Sequence, residues 1–176
     1  MRRRVKILLI GPLKSGKTAV ANLLAEYQDT LVQTYRPTVG CRVLEFEKEL
    51  KEKHDGSGRV LIQLWDVSGD PKYEKCWPAI QRNTNGIIFV YDSSIAADTD
   101  MDYWIKGFSK EMGLSPQFCI AFANRINPES KTKIPPMKGV VNVEFSQEAP
   151  QAIQVAFDKY VQGLVVNSKL PEDGAS

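Results

Sequence analysis

An eight-residue stretch near the amino terminus constrains this chain more than anything else in it. Gly11-Pro12-Leu13-Lys14-Ser15-Gly16-Lys17-Thr18 satisfies the pattern G-x-x-x-x-G-K-[ST]. It follows an apolar run at 5–10 and precedes a helix-period segment, the strand-loop-helix context that gives the motif its meaning. Glycines allow the tight turn and the close approach that aim successive backbone N–H groups at a phosphate chain, and the helix start adds its positive end. In such a loop Gly11, Leu13, Lys14, Ser15 and Gly16 line the phosphates. Lys17 neutralises β- and γ-phosphate charge, and Thr18 offers its hydroxyl to Mg²⁺, a hard cation that takes oxygen ligands.

The remaining pattern is that of an α/β domain. Residues 86–91 (Gly-Ile-Ile-Phe-Val-Tyr), 118–122 and 140–143 are, like 5–10, continuous apolar runs expected of strands covered on both faces. Val43 and Phe46, then Val60, Ile62 and Leu64, flank the turn signal Asp55-Gly56-Ser57-Gly58 and predict two antiparallel strands at one edge. Helical stripes fill the gaps: Val20, Leu23, Leu24 and Tyr27; Met101, Trp104, Ile105, Phe108 and Met112; and Ile153, Phe157, Tyr160, Val161 and Leu164 behind Pro150. Pro128, Pro135 and Pro136 interrupt a polar stretch at 124–138, which reads as loop. We expect one domain over 1–166 and a flexible tail over 167–176.

Charge and composition exclude several functions. Lys and Arg number 23 against 21 Asp and Glu, a net charge of +2 that offers no basic stripe for nucleic acid. The apolar run behind Arg2-Arg3-Arg4 ends after six residues in Gly-Pro, too short to span a bilayer, and neither terminus carries a lipidation signal, so no direct membrane anchor is expected. Cys41, Cys76 and Cys119 are odd in number and widely spaced, which predicts free thiols. His54 is the sole histidine and sits between Lys53 and Asp55, so a histidine-based triad or metal site is not expected.

Two further elements accompany the loop. Leu64-Trp65-Asp66-Val67-Ser68-Gly69 closes the second hairpin strand and turns Asp66 toward the Mg²⁺ site; Pro37-Thr38 sits in the loop behind the first helix, where its hydroxyl can complete metal coordination. This order of elements resembles the Ras and Rab small GTPases over nearly the whole chain. The resemblance implies a six-stranded, mostly parallel sheet with one antiparallel edge strand and helices on both faces. It also implies GTP and GDP with Mg²⁺ as ligands, held metal contacts from Thr18, Thr38 and, through water, Asp66, and γ-phosphate contacts from Thr38 and Gly69.

Departures from that family bear on activity. Asp70 stands where the family has the Gln that orients the attacking water, and a carboxylate there repels a γ-phosphate. Leu13 replaces a small residue and crowds the transferring group. Turnover at or below about 10⁻⁴ s⁻¹ is expected. Asn124-Arg125-Ile126-Asn127 replaces N-K-x-D, so Asn127 loses one acceptor for the guanine N–H groups, at about 1 to 3 kcal/mol. Glu129 is either a substitute carboxylate or a solvated loop residue. Glu144-Phe145-Ser146 lies where the family has S-A-K, and with 15 residues between Asn124 and Val140 the family's fourth helix is reduced or absent.

Downstream, W-D-x-x-G-D-x-K-[YF]-E-x-C-W-P-A, ending in Tyr73-Glu74-Lys75-Cys76-Trp77-Pro78-Ala79, together with Arg36-Pro37-Thr38-Val39-Gly40, resembles the Rab-like small GTPases of intraflagellar transport complex B. This narrower resemblance implies a cytoplasmic and ciliary or flagellar protein, monomeric outside the complex, that docks on coiled-coil subunits. Tyr73 and Trp77 are the candidate partner anchors, with Trp77 equally able to pack inside against the sheet. Three functions remain open: a nucleotide-dependent binding module, a cycling switch enzyme, and a structural adaptor whose nucleotide stabilises the fold. A nucleotide kinase needs an Arg-rich lid, and no segment supplies one.

Overall fold

The computed structural model describes residues 3–26, 36–51, 57–94, 98–127, 129, 138–146 and 148–167. Among the described residues six strands, β1 (Arg3–Ile10), β2 (Cys41–Lys51), β3 (Ser57–Val67), β4 (Gly86–Asp92), β5 (Cys119–Asn124) and β6 (Val141–Phe145), are accompanied by helices α1 (Lys17–Leu24), α2 (Trp77–Ile80), α3 (Asp98–Trp104) and α4 (Gln151–Asn167). The sheet order is β2-β3-β1-β4-β5-β6. Every neighbouring pair is parallel except β2 and β3, whose ladder runs from Cys41↔Val67 to Lys51↔Ser57. The antiparallel edge and the parallel remainder follow the expectation. Ser57 and Gly58 belong to the ladder rather than to the turn, and His54, Asp55 and Gly56 lie outside the described residues.

The unbroken apolar runs follow from burial on both faces. In β1, Ile7 and Leu9 join Val20 and Leu24 of α1 and Phe157, Val161 and Leu164 of α4 on one side of the sheet. Leu8 and Ile10 join Trp77, Met101, Trp104 and Phe108 on the other. Alternate residues of one strand therefore feed two cores, and neither parity is free to be polar. Removing one such branched side chain costs about 2 to 5 kcal/mol.

Local chemistry sets the element ends. Asp70 accepts from Lys72 N–H at 3.0 Å and caps a 3₁₀ turn over Pro71–Cys76 that leads into α2. Helical spacing did not reveal this short pair of turns, because six and four residues are too few for a period. The stripe from Met101 to Met112 is α-helical only to Trp104 and continues as a π-helical turn over Ile105–Lys110. Met101, Trp104 and Phe108 are nonetheless all buried. Among the described residues no helix lies between β5 and β6, although 128 and 130–137 are outside them. Helix α4 includes Asn167, one residue into the expected tail, and 168–176 are likewise outside. Tyr27 of the first stripe is outside as well. All three cysteines are free thiols.

What this arrangement positions is one edge. β1, β3, β4 and β5 end at Ile10, Val67, Asp92 and Asn124, and the loops that leave these carboxyl ends carry nearly all the candidate site residues.

Candidate functional site

The loop behind β1 turns back over its own strand end. Gly11, at φ 149°, lies so near β4 that an added Cβ would sit 1.9 Å from the Val90 carbonyl oxygen. Gly16 has φ 89°, and a Cβ there would come within 2.4 Å of the Asn124 amide nitrogen. Lys14 adopts φ 59°, a left-handed conformation that a non-glycine residue holds only under constraint from its surroundings. Ser15 is buried, whereas Leu13 is exposed at the loop's tip.

Lys17 is 6% exposed and donates to the Pro12 carbonyl at 2.5 Å, with Ser15 Oγ at 3.4 Å. Burial pulls its ammonium down to about 8, with the Asp66 charge opposing. The loop is thus closed on its own lysine, which points along the cradle that the turn encloses.

Asp66, at the end of β3 and wholly buried, is the centre of a small oxygen cluster. Thr18 Oγ1 donates to Asp66 Oδ2 at 2.8 Å, Thr38 Oγ1 lies 3.4 Å from the same oxygen, and the two hydroxyls are 3.0 Å apart. Burial raises the Asp66 carboxyl above its ordinary value, opposed by the Thr18 hydroxyl and then by Arg42, Lys17 and Thr38. Its Oδ1 has no partner among the described residues. Two hydroxyls and a carboxylate, one of whose oxygens is orphaned, form a donor set suited to a hard divalent cation that keeps its waters and takes phosphate oxygens. Among the described residues no group of three or more His, Cys, Asp or Glu is placed to hold a metal ion.

Gly69 packs directly on the phosphate loop, where a Cβ would meet Leu13 N and Pro12 C at 2.6 Å. Asp70 faces elsewhere. Its carboxylate is engaged by its own turn, through Lys72 N–H and a 2.7 Å ion pair with Lys72 Nζ, and these bonds hold it below the usual carboxylate range. Trp77 is corrected from candidate anchor to core. It is 4% exposed, its ring centroid lies 4.5 Å from that of Phe108 and 5.4 Å from those of Trp104 and Tyr103, and Gly107 gives it room to lie flat. Tyr73 is half-buried, with Lys72 Nζ 5.0 Å from its ring centroid.

On the other side, Asn124 is buried and donates to the Ser15 carbonyl at 3.1 Å, tying the β5 loop to the phosphate loop. Arg125 forms an ion pair with Glu144 of β6 and donates its N–H to Phe145 O at 2.8 Å. Asn127 donates its N–H to Ser94 Oγ at 3.0 Å, and its side-chain oxygen accepts from Glu129 N–H at 3.0 Å. Glu129 itself is exposed. Sequence reasoning missed Arg42, Asn22 and Ser94. Arg42 was legible in principle only as a residue that shares strand parity with Leu44 and Phe46, as Lys48 also does.

A β-loop-α phosphate cradle, a buried aspartate with two threonine hydroxyls, and a sheet of this order define a Ras-like GTPase domain. The family of Ras of Complex, Roc, domain of DAPkinase matches residues 6–127. Intraflagellar transport protein 22 homologs of Bos taurus and Danio rerio are 31% and 32% identical over 170 and 166 residues, covering 92% and 90% of this chain and 90% and 88% of theirs. The GTP-bound T. brucei IFT22/74/81 crystal structure superposes with a TM-score of 0.72 at 31% identity, over 93% of this chain and 95% of that one. The GDP-bound T. brucei IFT22 crystal structure gives 0.70 at 31%, over 93% and 97%. The chain belongs to the intraflagellar transport protein 22 family of Ras-like GTPase domains.

Proposed function

We propose that this protein is a Rab-like, guanine-nucleotide-binding subunit of the intraflagellar transport machinery of cilia and flagella. The observation that carries the reading is the convergence of Lys17, Thr18, Thr38, Asp66 and Gly69 at the carboxyl ends of β1 and β3. Relatives whose solved forms hold GTP and GDP support the choice of nucleotide. Residues 1–166 act as one G domain. Gly11, Leu13, Lys14, Ser15, Gly16 and Lys17 receive the phosphates, and Asn124, Arg125 and Asn127 face the base. Thr18, Thr38 and Asp66 would hold Mg²⁺, which when bound neutralises phosphate charge; this chain's own contribution is to gather the hydroxyls and keep the carboxylate buried.

Hydrolysis is very slow in this reading, because Asp70 caps its own turn with Lys72 and orients no water. The nucleotide orders the Thr38 and Gly69 loops, and the ordered surface docks on coiled-coil partners of complex B, with Tyr73 the remaining anchor now that Trp77 is core. The IFT22/74/81 assembly of the T. brucei relative supports partners within the complex. The protein is otherwise monomeric and cytoplasmic, and binds neither nucleic acid nor membrane directly.

An equilibrium titration of nucleotide-free protein with GTP, ATP and XTP in Mg²⁺ tests this. GTP is expected to bind tightest, at micromolar strength. Equal or tighter binding of ATP or XTP, or no binding, would reduce the protein to a structural adaptor on a shared scaffold.

A further inference from the structure

The π-helical turn that continues α3 has a partner outside its own helix. Glu111 N–H reaches back five residues to the Lys106 carbonyl at 3.3 Å, whereas Met112 N–H reaches back four, to the Phe108 carbonyl at 3.0 Å. The Gly107 carbonyl between them is passed over. Gln81 takes it, donating from Nε2 at 2.6 Å. The same glycine lies against the Trp77 ring, where an added Cβ would sit 2.4 Å from Cζ3. The turn therefore opens the helix by one residue where the indole enters, and offers the freed acceptor to the residue four positions beyond that indole. A third tie precedes these two: the exposed Tyr103 hydroxyl donates to Glu74 Oε2 at 3.0 Å. Residues 74, 77 and 81 are spaced as on one helical face, and each meets α3 or its π-turn at a different level. The rear of the segment is fixed to the sheet, because Lys6 Nζ of β1 donates to the Ile80 and Arg82 carbonyls at 2.6 and 2.8 Å. At the front Gly69 rests on the phosphate loop, and the 3₁₀ turn between Gly69 and Trp77 buries no residue.

We propose that residues 74–81 and α3 with its π-turn form one keyed unit, so that a change at Gly69 on γ-phosphate binding is carried to the outer face of α3, at Tyr103 and Lys106. The inference rests on the nucleotide-binding reading given above. Closely packed rings shift between discrete arrangements instead of bending, so a movement of Glu74 either takes Tyr103 with it or breaks the bond between them. The Trp77 ring, 4.5 Å from Phe108 and 5.4 Å from Tyr103 and Trp104 between centroids, leaves the first course open and the second costly. Lys6 makes the Ile80 end the fulcrum. Gln81 and Tyr103 are positioning residues, since each acts through the segment it holds.

The test is amide hydrogen exchange of the full chain loaded with GDP or with a non-hydrolysable GTP analogue. In wild type, the rates over 70–77 and over 103–110 should both change by at least about threefold between the two nucleotides. The double variant Gln81→Ala, Tyr103→Phe leaves the buried rings in place; it should keep that change at 70–77 and lose it at 103–110. A wild-type change confined to 70–77, or absent from both stretches, would overturn the proposal. So would a double variant that still carries the change to 103–110, or one that loses it from both stretches, which marks the ties as mere support for the 3₁₀ turn. If neither nucleotide binds, the nucleotide reading fails by itself, and the keyed unit is decided in the nucleotide-free protein. There the double variant should exchange at least about threefold faster than wild type over 70–77 as well as over 103–110; an unchanged rate over 70–77 refutes the unit.

Discussion

The phosphate half of the site and its base half are built differently. At the phosphates, Lys17, Thr18, Thr38 and Asp66 lie within hydrogen-bonding distance of one another or of the loop they close. At the base, Arg125 is committed to Glu144, and the Asn127 side chain accepts from its own loop. Asn124 joins the halves, through the Ser15 carbonyl. Phosphate recognition uses backbone N–H groups and one helix start, which a short motif encodes locally. Base recognition of the kind proposed needs individual side chains, and a substitution among them removes a contact without disturbing the fold.

The largest expected effect strikes the phosphate half: Lys17→Ala should weaken GTP binding by about 100-fold or more, since it removes a charge-assisted contact from an enclosed cradle. Isothermal titration measures this, and an unchanged affinity would mean the cradle does not receive the phosphates. Next comes the base half. Asn127→Asp restores the second acceptor and should raise GTP preference over XTP about 5- to 150-fold in competition binding; no change would show that the amide, held by Glu129 N–H, never reaches the base.

A smaller, pH-dependent effect separates the halves without mutation. Lys17 must be charged to bind phosphate, and burial lowers it in the free protein to about 8 from 10.5. Affinity should therefore hold below pH 8 and fall about tenfold between pH 7 and 9. Stability of the free protein runs the other way: the unfolded chain binds the extra proton between about 8 and 10.5, so the cost of burying charged Lys17 is full below pH 8 and fades as pH rises toward 10.5. Chemical denaturation at pH 7.5 and 9.5 reads this. The smallest effect is on turnover. Asp70→Gln should raise single-turnover hydrolysis by about tenfold, with Leu13 still crowding the site. A rate that stays flat would place the block at Leu13 rather than at residue 70.

Trp77 and Asp66 show where sequence reading stops. Asp66 was readable because its neighbours in sequence, Trp65 through Gly69, fix its place at a strand end. Trp77 was not, because its burial depends on Gly107 thirty residues away, whose lack of a side chain makes room for the ring. Arg42 is similar: strand parity puts it on the face of Leu44 and Phe46, but only the β2–β3 register brings it opposite Asp66.

By itself the sequence determined the α/β class, the strand runs, the antiparallel edge and the phosphate-loop motif. These depend on periodicity and on residues adjacent in the chain, where geometry follows from the backbone. Tertiary structure alone decided that Asp70 caps a turn, that Trp77 is core, that Asn124 braces Ser15 and that Arg42 reaches Asp66. Each of those rests on which side chains meet across strands and loops far apart in sequence, and on burial that makes an unpaired charge or an unfilled space costly enough to choose one arrangement.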